Sequence, residues 1–360
     1  MDTVKLNLED LLECINGDFK LNPDPPVKRN PKNPDNLVKV EFNNFVKEEN
    51  FKRRQNSTVI ALRDFHNYIK ETLLINIVKV YRSEHPKEKH INLLDIAVGR
   101  GGDMFKWTKA GIKSVFGFDK SKDSIESINP FNQGARERYS KVKIPVDIVY
   151  TVGDATQPTP ELLAEIEAFQ EKRKFKQFQI LSCQFAMHYF FQSQEALETV
   201  FATISPLIKK GGYFVGTTVD GSKITDFLGK NNSFQSDLLG LTKKYKAMTP
   251  KLPFGNGYTF RLNDSFDGAN YFNTLGESLE YLVNMETLNQ TAIKFGFQPV
   301  FINLFQKRDN RYLQIRTVGD LKPKFLSFEE IYSFPEHGKQ LSPEELLINK
   351  LYTTFIFKKL

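Results

Sequence analysis

LLDIAVGRGGDMFKW, residues 93–107, reads as a buried strand that runs through a tight glycine-rich turn into a helix. In an open α/β sheet, that junction presents backbone amides to a nucleotide-like ligand at the carboxyl edge of the strands. Further along, SCQFAMHYFF at 182–191 brings Gln, His and Tyr together at the end of a later strand, where such a sheet keeps its reacting partners.

Around these two stretches strands and helices alternate. INLLDIA (91–97), SVFGFD (114–119), VDIVYTV (146–152), FQILSCQ (178–184) and GYFVGTTV (212–219) are short runs rich in β-branched and aromatic residues, each followed by a polar or glycine turn. Segments 103–111, 121–140, 160–174 and 193–209 are the expected crossover helices, and STVIALRDFHNYIKETLLINIVKVY from residue 57 predicts an amphipathic helix leading into the core. The pattern is that of an α/β, doubly wound, mostly parallel sheet. QPVFINLF (298–305) and YTTFIFKK (352–359) are expected to complete it. Residues 221–280 break the rhythm with GKNNS, PFGNG and NDSFDG and read as an insertion over the active face. Residues 1–56, with NPDPP and NPKNPD, read as an N-terminal arm or linker, and 57–360 as one catalytic-sized domain.

Composition narrows the class. A chain of 360 residues with 40% hydrophobic content can bury one large α/β core. Cys14 and Cys183 stand alone, so neither a disulfide framework nor a zinc site is suggested, and no metal is expected. The start MDTVKLNLEDLLEC has no uninterrupted apolar stretch, which predicts a soluble, unprocessed chain without a membrane span. A net charge of +7, with KEENFKRR at 47–54 and phenylalanines interleaved among bases from 42 to 54, suits a polyanionic partner if the charges cluster.

In GRGGD the glycines at 99, 101 and 102 permit the sharp turn, and Asp95 lies where the first strand ends. Aligned on a dinucleotide fingerprint, the chain offers Ala97, Gly99 and Gly102, a weak match. Asp119 at the end of the next strand can accept both hydroxyls of a ribose; Asp154 after the third can accept an adenine amino group; Gln184 after the fourth lies near the reacting end. Asp103 at a helix start would repel a pyrophosphate but tolerates a ligand without phosphate. Taken singly, each carboxylate is as readily a cap or a turn residue. Their order along the strand ends points to S-adenosylmethionine.

LRDFHNYIK (62–70), LLDIAVGRGGD (93–103), FDKSKDSI (118–125), SCQFAMHYFF (182–191), EYLV (280–283) and YTTFIF (352–357) together resemble the mRNA cap (guanine-N7) methyltransferases of eukaryotes and DNA viruses, from about residue 58 onward. The resemblance implies a Rossmann-like class I methyltransferase fold with a seven-stranded sheet. It implies methyl transfer from S-adenosylmethionine, leaving S-adenosylhomocysteine, to N7 of the cap guanosine of GpppRNA. By matching position, Lys70, the backbone at Ala97 and Gly99, Asp103, Asp119, Asp154, Gln184 and Tyr189 would hold the cofactor. His188, Tyr189, Glu280 and Tyr352 would hold the guanine, with Arg100, Lys106 and Arg138 facing its phosphates. A carboxylate and a ring N–H form an edge complementary to guanine that adenine could not satisfy.

The chain departs from that family's pattern at several positions. Ala97-Val98 stands for the usual Gly-Cys, Arg100 for a lysine, Ala155-Thr156 where an aromatic is usual, and Asp220 for a proline. These differences are more like the large DNA virus branch, in which triphosphatase and guanylyltransferase domains share the polypeptide. A viral source implies a cytoplasmic factory or virion; a cellular one implies the nucleus. Two other classes compete: a non-catalytic, methyltransferase-like partner subunit of a capping complex, and a methyltransferase for another nucleic-acid target. Retention of both pockets argues against the first, and SCQF in place of Asn/Asp-Pro-Pro-aromatic against an amino-group enzyme.

Overall fold

The structure is a computed structural model that describes residues 57–246, 252–263, 277–308, 311–314 and 324–360. The expected N-terminal arm, its basic and aromatic run, and parts of the expected insertion lie outside the described residues.

Helix α1 (Ile60–Glu84) buries Leu62, Phe65, Ile69, Leu73, Ile77 and Tyr81. A stripe recurring every three to four residues is what a helix laid on a core requires. Its N-cap, Val59, makes no side-chain cap, so an orphan amide of the first turn needs another acceptor. Glu345, distant in sequence and buried, supplies one: its Oε1 accepts from the Leu62 amide at 2.9 Å.

The alternation then follows, with β1 (Asn92–Ile96), α2 (Met104–Ala110), β2 (Ser114–Asp119), α3 (Lys122–Glu126), α4 (Ala135–Ser140), β3 (Asp147–Val152), α5 (Pro160–Lys172), β4 (Phe178–Gln184), α6 (Met187–Phe190), α7 (Gln194–Ile204) and β5 (Ile208–Val219). The single helix predicted over 121–140 is broken in two. Pro130 lacks an amide donor and biases Asn129 away from helix, and the Asn129 side chain instead accepts from the Phe131 amide at 3.0 Å. Gly134 closes the turn by donating to the Ser127 carbonyl at 2.7 Å.

Residues 221 to 281 carry α8 (Gly221–Leu228) and four strands, β6 (Ser233–Gln235), β7 (Leu239–Lys243), β8 (Gly257–Leu262) and β9 (Ser278–Tyr281), which form an antiparallel sheet of their own. The chain continues through α9 (Met285–Lys294), β10 (Phe297–Pro299), the hairpin β11 (Ile302–Arg308) and β12 (Arg311–Gln314), α10 (Phe328–Tyr332), α11 (Pro343–Lys350) and β13 (Tyr352–Lys359). The strand expected over 298–305 is therefore two: its start joins the main sheet and the rest leaves to pair with β12.

The main sheet has seven strands in the order β10-β13-β5-β4-β1-β2-β3, parallel except for β13, which opposes both neighbours. β1 is buried along its whole length, as a central strand covered on both faces must be. Chain order reverses beside β1, with β2 on one side and β4 on the other. The connections after these strands diverge there and leave a crevice at their carboxyl ends. This strand order is that of a Rossmann-like class I S-adenosylmethionine-dependent methyltransferase fold.

Candidate active site

The turn after β1 is wound left-handed. Ala97 (φ 57°), Gly99 (φ 55°) and Gly101 (φ 66°) all have positive φ. Asp119 holds this shape: its Oδ2 accepts from the Gly99 amide and its Oδ1 from the Ser121 amide, each at 2.8 Å. The Val98 amide adds a bond to the Phe118 carbonyl at 3.0 Å. Each carboxylate oxygen still has a lone pair for a ligand. A Cβ at Gly99 or Gly102 would meet nothing within 4 Å, so the turn faces open space, whereas one at Gly101 would lie 2.6 Å from the Tyr150 hydroxyl. A cofactor thus has room over the turn, which is the feature the expected ligand set requires. At the end of β4, Phe185 also has positive φ, 56°, and its amide donates to the Thr217 carbonyl at 2.9 Å. Two non-glycine residues in this conformation at neighbouring strand ends is the kind of strain that clusters at functional sites.

Asp103 ends the turn. Its Oδ1 lies 2.7 Å from Lys70 Nζ and 2.8 Å from Lys106 Nζ. Burial alone would raise this carboxyl, but the two ammonium groups hold it down at about 2. At Asp95 the balance goes the other way: burial, then the nearby Asp103 charge, pushes it well above the carboxylate range against the pull of a Ser182 hydrogen bond and the Lys70 charge. Asp154, just past β3, accepts from the Thr156 amide (2.8 Å) and hydroxyl (2.7 Å), both at Oδ1, leaving Oδ2 unpartnered among the described residues. Gln184 is fixed from both ends, donating to Ser182 Oγ at 3.2 Å and accepting from Thr217 Oγ1 at 3.1 Å.

A second wall rises beside these strand ends. His188 on α6 and Glu280 on β9 are 4% and 3% exposed, with His188 Nε2 3.7 Å from Glu280 Oε1. Neither ring nitrogen of His188 has a hydrogen-bond partner among the described residues. Burial depresses the imidazole to about 3 and raises the Glu280 carboxyl to about 7, the latter against the pull of a hydrogen bond from Tyr258. That bond, Tyr258 Oη to Glu280 Oε2 at 2.6 Å, joins residues that face each other in register across β8 and β9. The Tyr189 ring lies 4.2 Å from that of His188, and its hydroxyl is 3.4 Å from Ser278 Oγ. Burial, with the Glu280 charge, pushes the Tyr189 phenol up to about 12. Tyr352, on β13, packs its ring 5.3 Å from Phe185.

The basic residues expected to face phosphates are placed differently from one another. Lys106 is buried and committed to Asp103. Arg100 pairs with Asp123 and donates to the Asn132 carbonyl at 2.7 Å. Arg138 donates to the Arg100 carbonyl at 2.8 Å, and among the described residues no carboxylate pairs with it. The sequence reading missed Tyr258 and His66. His66, one turn before Lys70 on α1, stacks on Phe185 at 5.1 Å with Nε2 unpartnered among the described residues. Burial, aided by Lys70, depresses it to about 3. Its place in LRDFHNYIK was a usable signal; Tyr258 had none, because only strand register brings it to Glu280.

The chain is similar to the mRNA cap guanine-N(7) methyltransferase of Schizosaccharomyces pombe, 26% identical over 321 residues that cover 86% of this chain and 78% of that one. It is 30% identical over 324 residues to the protein of the same name from Caenorhabditis briggsae, covering 80% of each. Among solved structures, the CcbJ methyltransferase of Streptomyces caelestis is a distant likeness, with TM-score 0.45 and 11% identity over 79% of this chain and 89% of that one. Residues 27–360 match the mRNA (guanine-N(7))-methyltransferase domain, and the chain belongs to that family of S-adenosylmethionine-dependent methyltransferases.

Proposed function

We propose that the protein methylates N7 of the cap guanosine of GpppRNA. The observation that carries this reading is the buried pair Glu280 and His188, whose facing polar atoms are 3.7 Å apart and not hydrogen-bonded to each other. Buried polar groups left without partners are costly, so a ligand that matches them is strongly preferred. Guanine matches: its N1 and N2 hydrogens can be accepted by the Glu280 carboxylate, and a His188 ring N–H can donate to O6. Adenine offers the opposite edge and leaves both residues unsatisfied.

Asp119, Asp154, Gln184 and Lys70 are the residues that would hold S-adenosylmethionine, with the open face of Gly99 and Gly102 beneath it. When bound, the cofactor supplies an electrophilic sulfonium methyl group. Guanine N7 carries a lone pair and no proton, so no residue has to act as a general base. The work of this chain is to hold the base edge at Glu280 and His188, keep water out of the pocket and orient N7, and such orientation supplies several orders of magnitude in rate. The experiment is incubation with labelled adenosylmethionine and either GpppA-capped RNA or GTP, followed by mapping of the methyl group. Label at N7 supports the reading, and label on an exocyclic amine or a ribose hydroxyl overturns it. Adenosylmethionine titration by calorimetry separates an enzyme from a methyltransferase-like partner subunit.

From the departures at Ala97-Val98 and Arg100 the source we propose is a large DNA virus, which implies capping domains in the same polypeptide and a cytoplasmic site of action; a cellular source implies the nucleus. The relatives named above are cellular and do not bear on this branch. Among the described residues no helix is long and apolar enough to cross a membrane.

A further inference from the structure

Lys120 directly follows Asp119 at the carboxyl end of β2 and is exposed. Its ammonium stands 5.5 Å from the centroid of the Tyr189 ring. Tyr189 in turn touches His188 and, through its hydroxyl, Ser278, two residues before Glu280. The ammonium therefore reaches the rim of the pocket built by His188 and Glu280. Lys70, Lys106 and Arg100 are each spent on a carboxylate. For Lys120, no carboxylate lies within ion-pair distance among the described residues. The Lys120 ammonium is itself exposed and meets the face of the half-buried Tyr189, a weak hold, and an anionic oxygen in hydrogen-bonding reach competes with the ring readily.

We propose that Lys120 binds the 5′ phosphate chain of the purine substrate, on the reading that the pocket takes guanine. A guanine seated against Glu280 and His188 sends its ribose and phosphates outward over the rim, and at this rim Lys120 is a cation that no carboxylate pairs with among the described residues. The contact adds affinity for phosphorylated guanosine ligands without adding any for the base itself.

The test titrates GpppA, guanosine and adenosylmethionine separately into the full chain by calorimetry, as wild type, Lys120→Ala and Lys120→Arg. Lys120→Ala is expected to weaken GpppA about five-fold at roughly 0.05 M salt, the loss shrinking as salt rises. Lys120→Arg restores most of that affinity, while guanosine and adenosylmethionine stay within about two-fold of wild type. Equal losses for GpppA and guanosine would mean that Lys120 only supports Tyr189, and a loss confined to adenosylmethionine would assign it to the cofactor's carboxylate. Either result overturns the proposal, as does an unchanged GpppA affinity. A wild type that binds neither guanine ligand is a separate result: it removes the guanine reading, and this proposal with it.

Discussion

Glu280→Gln separates what the buried carboxylate does for binding from what it does to stability. Glu280 is 3% exposed, and burial raises its carboxyl from 4.5 to about 7, with the Tyr258 hydrogen bond opposing. A rise of this size corresponds to about 3 kcal/mol, at about 1.4 kcal/mol per unit. Because the folded value lies above the unfolded one, this contribution to stability is fully present below pH 4.5 and is lost as pH rises through 7. Glutamine stays neutral throughout. Its carbonyl can accept the Tyr258 hydroxyl as Oε2 does, and its amide can donate to His188 Nε2, which now lies 3.7 Å from Oε1 with no partner. The variant should match wild type near pH 5 and exceed it by about 2–3 kcal/mol at pH 8, read from urea unfolding midpoints across that range. The same change presents an amide to the donors of guanine and should cost on the order of a hundred-fold in GpppA affinity. His188, held near 3, is neutral in both folded proteins, while the unfolded imidazole protonates below 6.5; this lowers the stability of both alike toward pH 5 and cancels from their difference. A stability difference that does not vary with pH would refute the reasoning, since it would mean that Glu280 titrates normally in its buried place.

Tyr258→Phe removes the donor to Glu280 Oε2, so the carboxyl titrates higher still. The pH at which kcat/KM for capped RNA reaches half its plateau should move above 7, with KM rising several-fold and kcat changing less. Ala97→Gly relieves a left-handed alanine and is expected to raise stability by about 0.5–1 kcal/mol by urea unfolding, after the greater freedom of unfolded glycine is subtracted. Asp103→Asn leaves Lys70 and Lys106 facing a neutral group at 16% and 10% side-chain exposure, and should cost about 3 kcal/mol between pH 5 and 8. In wild type the depressed Asp103 carboxyl contributes stability above pH 3.8 that is lost as pH falls through about 2, so the gap between the two proteins narrows in strong acid.

The core of the fold was legible because its signals are local. A short apolar run such as LLDIA, interrupted only by Asp95 and closed by a glycine turn, reads as a covered strand, and the turn glycines mark where the chain can bend left-handed. Asp119, Asp154 and Gln184 could be placed because a strand end is a sequence position as much as a spatial one. Errors arose where neighbours in space competed with local pattern. The run 298–305 has strand composition throughout, yet β13 pairs with only its first residues and β12 takes the remainder.

By itself, then, the sequence determined the alternating β/α order, the glycine turn and the strand-end polar residues, since periodicity and turn chemistry act over a few residues. Only the tertiary structure decided which polar groups are spent and which are open. Asp103 absorbs Lys70 and Lys106, Tyr258 reaches Glu280 through antiparallel register, and burial sets His188 and Glu280 to opposite departures from their ordinary titration. Charge pairing and desolvation depend on distance and depth between residues far apart along the chain, and no local pattern encodes either.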